Sequence, residues 1–107
     1  MTQMQTIGKH ATQTNRRQRG HTNYFEVIYQ STAVVTVAWK FPTREVEVTL
    51  RSGGWQTATT KTRMNQTANE IGLPYHVYQR NFDWYVDTPK GTIEFSDGMQ
   101  FTIKPKA

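Results

Sequence analysis

The residues best suited to chemistry lie in one run, SGGWQTATTKTRMNQTAN, from Ser52 to Asn69. Gly53-Gly54 allows a backbone to approach a ligand closely. Ser52, Thr59 and Thr60 bring hydroxyl donors, and Lys61 and Arg63 bring two cations. A helix predicted over about 59–71 would place both cations in its first turn and Glu70 in its last. Each placement opposes the helix dipole and costs about 0.3–1 kcal/mol at an exposed site. An anion bound at the free N–H groups of the helix start would account for the arrangement. The alternative is structural: Thr59 or Thr60 caps the helix, and the two glycines form a turn after a strand. The spacing is not that of a phosphate-binding G-x-x-x-x-G-K-[ST] loop, so nucleotide hydrolysis has no support.

Beyond the helix start, Thr62, Asn65, Gln66 and Asn69 fall on one side at helical spacing. Such amides pair with adenine edges, and they equally suit a protein interface. Trp55 is placed to stack on a base or to close one end of the core. A second cluster, Tyr75, Tyr78, Phe82, Trp84 and Tyr85, is divided by strand alternation between the core and an outer face. Asn69, Tyr78, Phe82 and Tyr85 form the alternative, protein-binding surface. His10, His21 and His76 have no metal-ligand spacing, and Asp83 and Asp87 have no partner for acid–base work. The sequence predicts no enzyme, cofactor, metal site or small-molecule substrate.

Charge is unevenly distributed within a total of +5. Residues 1–21 hold Lys9, Arg16, Arg17 and Arg19 and no acid, and Lys104 and Lys106 lie near the other end. Between them, seven Lys/Arg face eight Asp/Glu, so the body is close to neutral. Basic segments of this kind commonly contact phosphates. The 107 residues fit one domain with a modest core. Cysteine is absent, which excludes disulfides and thiolate sites. There is no long apolar run and no signal-peptide core, so the expectation is a cytoplasmic protein with no membrane partner.

Residues 1–21 show little apolar content and are expected to form a basic polar arm, with a single folded domain over 22–107. Within that domain, period-two alternation predicts strands at about 24–29, 33–39 and 45–50. Met64, Ala68 and Ile71 give the helix a narrow apolar stripe, ended by Gly72, Leu73 and Pro74. Four further strands follow, at about 75–79, 83–87, 91–95 and 100–103, with Asp97-Gly98 as a tight hairpin turn. The predicted fold is α+β: antiparallel β-meanders around one central helix, in the order βββ-α-ββββ.

The run SGGWQTATTKTRMNQ, with GLPYHVYQRNFDWYVD after it, resembles a small family of proteins encoded by tailed bacteriophages. That family shows an SGGW-x-T-x-TTK-x-RMNQ run, then a helix ending in glycine and an aromatic hairpin. The resemblance covers roughly residues 50–87 and leaves the basic arm and KFPTREVE unmatched. It implies a small phage accessory protein acting in the infected cell, and it carries no activity with it. Two functions follow as expectations. One is nucleic-acid binding, with Arg16, Arg17, Arg19, Lys61 and Arg63 on phosphates and Thr62, Asn65 and Gln66 near bases. The other is inhibition of a host or defence complex through the helix face and the aromatic hairpin, with a minor virion component as a weaker third.

Overall fold

The computed structural model describes residues 2–7, 10–54 and 56–104 and, among these, every side chain except those of Thr2, Gln3 and His10. Among the described residues, nine strands and one helix follow in the order βββββ-α-ββββ. They are β1 (Thr2–Ile7), β2 (His10–Arg19), β3 (Thr22–Tyr29), β4 (Thr32–Lys40), β5 (Val46–Leu50), α1 (Ala58–Ile71), β6 (His76–Arg80), β7 (Asp83–Thr88), β8 (Gly91–Glu94) and β9 (Met99–Ile103). All pairing is antiparallel. One sheet has the order β1-β2-β3-β4-β5-β9, and a smaller sheet has the order β6-β7-β8.

The α+β class and the central helix are as expected. The polar arm is not: its residues form β1 and β2 and extend the large sheet by two strands. Threonine explains how so polar a segment is held. Ile7, Thr12 and Thr14 are buried on the sheet's inner side, and a β-branched threonine with its methyl inward suits a half-covered pleated surface. Lys9, Trp55 and Lys106 lie outside the described residues.

The inner face of the large sheet carries Phe25, Val27, Val35, Val37, Val48 and Leu50, all fully buried. Burying each such side chain contributes about 1.5–3 kcal/mol. Helix α1 lies over this face and against β6, with Met64 and Ala68 in the core and Ile71 packed beside them. Val77, Trp84, Val86 and Phe95 close the core from the small sheet.

The helix ends where the sequence places its stop. Gly72 adopts φ 70°, and the Leu73 N–H donates to the Ala68 carbonyl at 2.9 Å. Its N-cap lies two or three residues earlier than expected. Thr57, not Thr59 or Thr60, is the N-cap, and its hydroxyl accepts from the Thr60 N–H at 3.2 Å. Lys61 and Arg63 therefore stand at the fourth and sixth helical positions, beyond the first turn where the dipole acts most strongly.

A second correction concerns Asp97-Gly98, which joins no hairpin. Strand β9 leaves the small sheet and pairs with β5, so β5 is an interior strand. The turn itself forms, with the Met99 N–H on the Ser96 carbonyl and the Gly98 N–H on the Leu50 carbonyl.

Asn65 ties the helix to the small sheet. Its amide accepts from the Val77 N–H at 2.7 Å and donates to the Val77 carbonyl at 2.8 Å, completing the free edge of β6. Replacing Asn65 with Ala leaves both peptide groups of a half-buried strand without partners. Urea denaturation of N65A should show a loss of about 1–3 kcal/mol; an unchanged midpoint would contradict this role.

Candidate nucleic-acid interface

The glycine turn that opens the SGGW run does grip an anion, and the anion belongs to the chain. The Asp97 carboxylate accepts from the Ser52 N–H at 2.8 Å, the Ser52 hydroxyl at 2.9 Å and the Gly54 N–H at 3.2 Å. Gly53 and Gly54 adopt φ 67° and 86°, which aims successive N–H groups at one point. A Cβ on Gly53 would collide with the side chain of Thr32, so glycine is required there twice over. Partial desolvation pushes the Asp97 pKa up, and the hydrogen bonds from Ser52, Gly54 and Gly53 outweigh it, leaving the carboxyl below its usual range.

The two cations of the run do not join this turn. Lys61 Nζ donates to Gln79 Oε1 at 3.3 Å and lies 5.6 Å from the Trp84 ring centre. Arg63 donates to Thr12 Oγ1 at 3.0 Å and lies 5.7 Å from the Tyr29 ring. They reach opposite strands, β6 and β2, so the expected convergence at the helix start does not form. The amide stripe is likewise divided. Asn65 is engaged by Val77 and Gln66 is half-buried, while Thr59, Thr62 and Asn69 are exposed. Thr60 is buried and meets the Thr57 hydroxyl at 3.0 Å.

What the fold does bring together lies at the far end of β2, β3 and β4. The register sets Arg16 opposite Phe25 and Arg17 opposite Tyr24, and each guanidinium lies over its neighbour's ring, at 4.3 and 4.2 Å. Contacts of this geometry hold the guanidinium plane and leave its N–H edges free to donate. Strand alternation puts Arg16 on the helix side and Arg17 and Arg19 on the open side, so cations straddle the end of the sheet. Trp39, half-buried, and Phe41, 48% exposed, complete a groove of about 580 Å³ with Gln18 and Asn23. Among the described residues, neither Arg16 nor Arg19 has a carboxylate within ion-pair distance.

The groove continues onto the open face of the large sheet, which the helix does not cover. Ala33, Thr36, Ala38 and Thr49 floor a trough of about 520 Å³, walled by Arg17 and Tyr24 on one side and Arg51 and Gln100 on the other. Its two acids are engaged: Glu26 by Asn15 at 3.0 Å and Arg17 at 3.8 Å, Glu47 by Lys40 at 3.2 Å. Thr36 Oγ1 in the floor is buried and has no hydrogen-bond partner among the described residues. Sequence reasoning named the arginines but missed Tyr24, Trp39, Phe41 and Arg51. Their signal was the strand register, which sets them beside β2 only once β2 is recognised as a strand.

The remaining predicted residues sit on the opposite side of the molecule. Tyr78 and Tyr85 stack at 5.8 Å on the outer face of the small sheet, with His76 beside Tyr78 at 6.0 Å. Phe82, at the β6–β7 turn, is 91% exposed. Among the described residues there is no cluster of metal-ligating side chains, and no helix is long and apolar enough to cross a membrane.

Fold and surface together define a small antiparallel α+β protein with a cationic, aromatic sheet end. Residues 2–102 match the family model described as Kyanoviridae Gp96 protein, and the chain belongs to that bacteriophage protein family. No curated protein and no solved structure matches it.

The Asp97 clamp has a definite pH signature. A carboxyl whose folded pKa is depressed stabilises the fold above its unfolded value, near 3.9, and that contribution is lost as pH falls through the folded value. Thermal melts across pH should therefore show D97N less stable than wild type at neutral pH, with the gap closing in acid. A gap independent of pH would contradict the clamp.

Proposed function

We propose that the protein binds single-stranded nucleic acid along the end and open face of its large sheet, as a non-enzymatic phage accessory protein. The observation that carries this reading is the pair of arginines held over Phe25 and Tyr24 beside Trp39 and Phe41. Arg16 and Arg19, which have no carboxylate partner among the described residues, supply phosphate contacts, and exposed Phe41 with half-buried Trp39 beside them supplies stacking surface for unpaired bases. An open antiparallel sheet face is a platform of the kind that accepts splayed bases, whereas a duplex presents mainly backbone. The trough between Arg17 and Arg51, with its unpartnered Thr36 hydroxyl, gives the strand a path across the sheet. Lys61 and Arg63 have no part in this reading, because both reach tertiary partners elsewhere.

Fluorescence anisotropy of a mixed-sequence single-stranded oligonucleotide across a salt series tests it. Each phosphate contact contributes about 0.7 to the slope of log affinity against log salt. R16A and R19A should each lower the slope by about that amount. F41A should weaken binding by about 1–3 kcal/mol and leave the slope unchanged. Absence of binding at low salt, or a slope indifferent to these arginines, would overturn the reading.

A second reading is favoured by Phe82. The β6–β7 turn takes positive φ at both central residues, Asn81 at 51° and Phe82 at 71°, a geometry that prefers glycine in the second position. A bulky residue there costs about 1–2 kcal/mol, and its ring is exposed as well. Local stability therefore disfavours Phe82 on both counts, as expected of an anchor for a protein partner such as a host or defence complex. F82G should raise unfolding stability by about 1 kcal/mol. It should also abolish capture of a partner from nuclease-treated infected-cell lysate. Capture that survives F82G, or no capture by the wild type, would rule this second reading out.

A further inference from the structure

We infer that a second copy of this chain pairs with β1, joining two large sheets edge to edge about a two-fold axis at Met4. Strand β1 is the terminal strand of its sheet, so among the described residues one side of its backbone has no strand neighbour. Natural sheet edges are usually blunted by charge, proline, a bulge or a covering element. The other edges of this molecule are so managed. Asn65 of the helix bonds the Val77 peptide on β6, β8 has only four residues and carries Glu94, and β9 turns Phe101 and Ile103 to the core and runs into Lys104. Strand β1, TQMQTI, has neither a charge nor a proline, and its pairing with β2 is continuous from Thr2 to Ile7.

Its sequence also specifies the partner. TQMQT reads the same in both directions about Met4. A two-fold contact requires each residue of one copy to face a counterpart on the same side of the sheet in the other. Antiparallel pairing of β1 with itself about Met4 meets that requirement: position 2 faces 6, position 3 faces 5, and Met4 faces Met4. Each pair joins like residues, Thr with Thr, Gln with Gln and Met with Met. Ile7 is buried on the inner face, so alternation sends Met4 to the outer face, where it is 66% exposed. A large apolar side chain in that position is unfavourable on a lone edge and acquires an apolar neighbour in the pair.

Light scattering on the full chain after size-exclusion chromatography should give about twice the 12.4 kDa mass of one chain. M4K and M4E should each give the mass of one chain, because each sets like charges face to face across the axis. An equimolar mixture of the two should recover the doubled mass as a heterodimer. Position 4 is exposed, so both variants should keep the wild-type circular dichroism spectrum. A wild type that stays at the single-chain mass at every concentration would overturn the proposal. So would variants that remain dimeric alone, or a mixture that does not pair. This test is independent of any ligand.

Discussion

Asp97 stands where the chain leaves the small sheet for the large one, and its carboxylate is held by the Ser52 hydroxyl and the N–H groups of the Ser52–Gly54 turn. That turn is also where the chain leaves β5 for the helix. One group thus joins the two points at which this short chain changes layer. Without it, β9 would have no fixed entry to its place beside β5, and the large sheet would lose an edge. The arrangement needs positive φ at Gly53 and Gly54 and a carboxylate rather than an amide, since both oxygens accept.

From that junction the helix distributes its side chains among both sheets. Met64 fills the common core, Asn65 completes the β6 edge, and Arg63 reaches Thr12 on β2. The Tyr75 hydroxyl donates to the Met64 carbonyl at 2.8 Å, and burial raises its pKa well above the usual phenolic range. The Tyr75 ring meets Phe101 edge-on at 5.6 Å. Polar residues that look free on a helical projection are therefore the connections holding the helix between two sheets. The consequence is functional as well: with the helix engaged on several sides, the unassigned cationic surface is left at the end of β2–β4 and on the open sheet face.

Much of this was legible in the sequence. Strands with alternating apolar residues, such as EVEVTL and the Trp84–Val86 segment, were readable because alternation records burial on one face. The helix stop was readable because Gly72-Leu73-Pro74 permits little else. What escaped were features whose cause is remote in sequence. Strands β1 and β2 carry threonine where other strands carry valine, so a hydrophobicity pattern misses them, although Thr12 and Thr14 keep the period of two. Asp97 is an ideal hairpin residue locally, and only its distant bond to Ser52 shows it serving another purpose. With Thr57 as the cap, Lys61 and Arg63 stand past the first turn of the helix, and their expected conflict with its dipole is reduced. The glycine turn, expected either to hold a ligand anion with Lys61 and Arg63 or simply to follow a strand, holds the carboxylate of Asp97, forty-five residues away in the same chain.

The SGGW turn is satisfied internally, and the proposed function puts ligand contacts at the arginine-bearing end of the large sheet. Backbone amide chemical shifts, followed by NMR during titration with a single-stranded oligonucleotide, test this most directly. Movement is expected at Arg16–Arg19, Asn23, Tyr24 and Trp39–Phe41, with the amides of Ser52, Gly53 and Gly54 unmoved. Movement centred on Ser52–Gly54 and the first turn of the helix, with β2 silent, would contradict it.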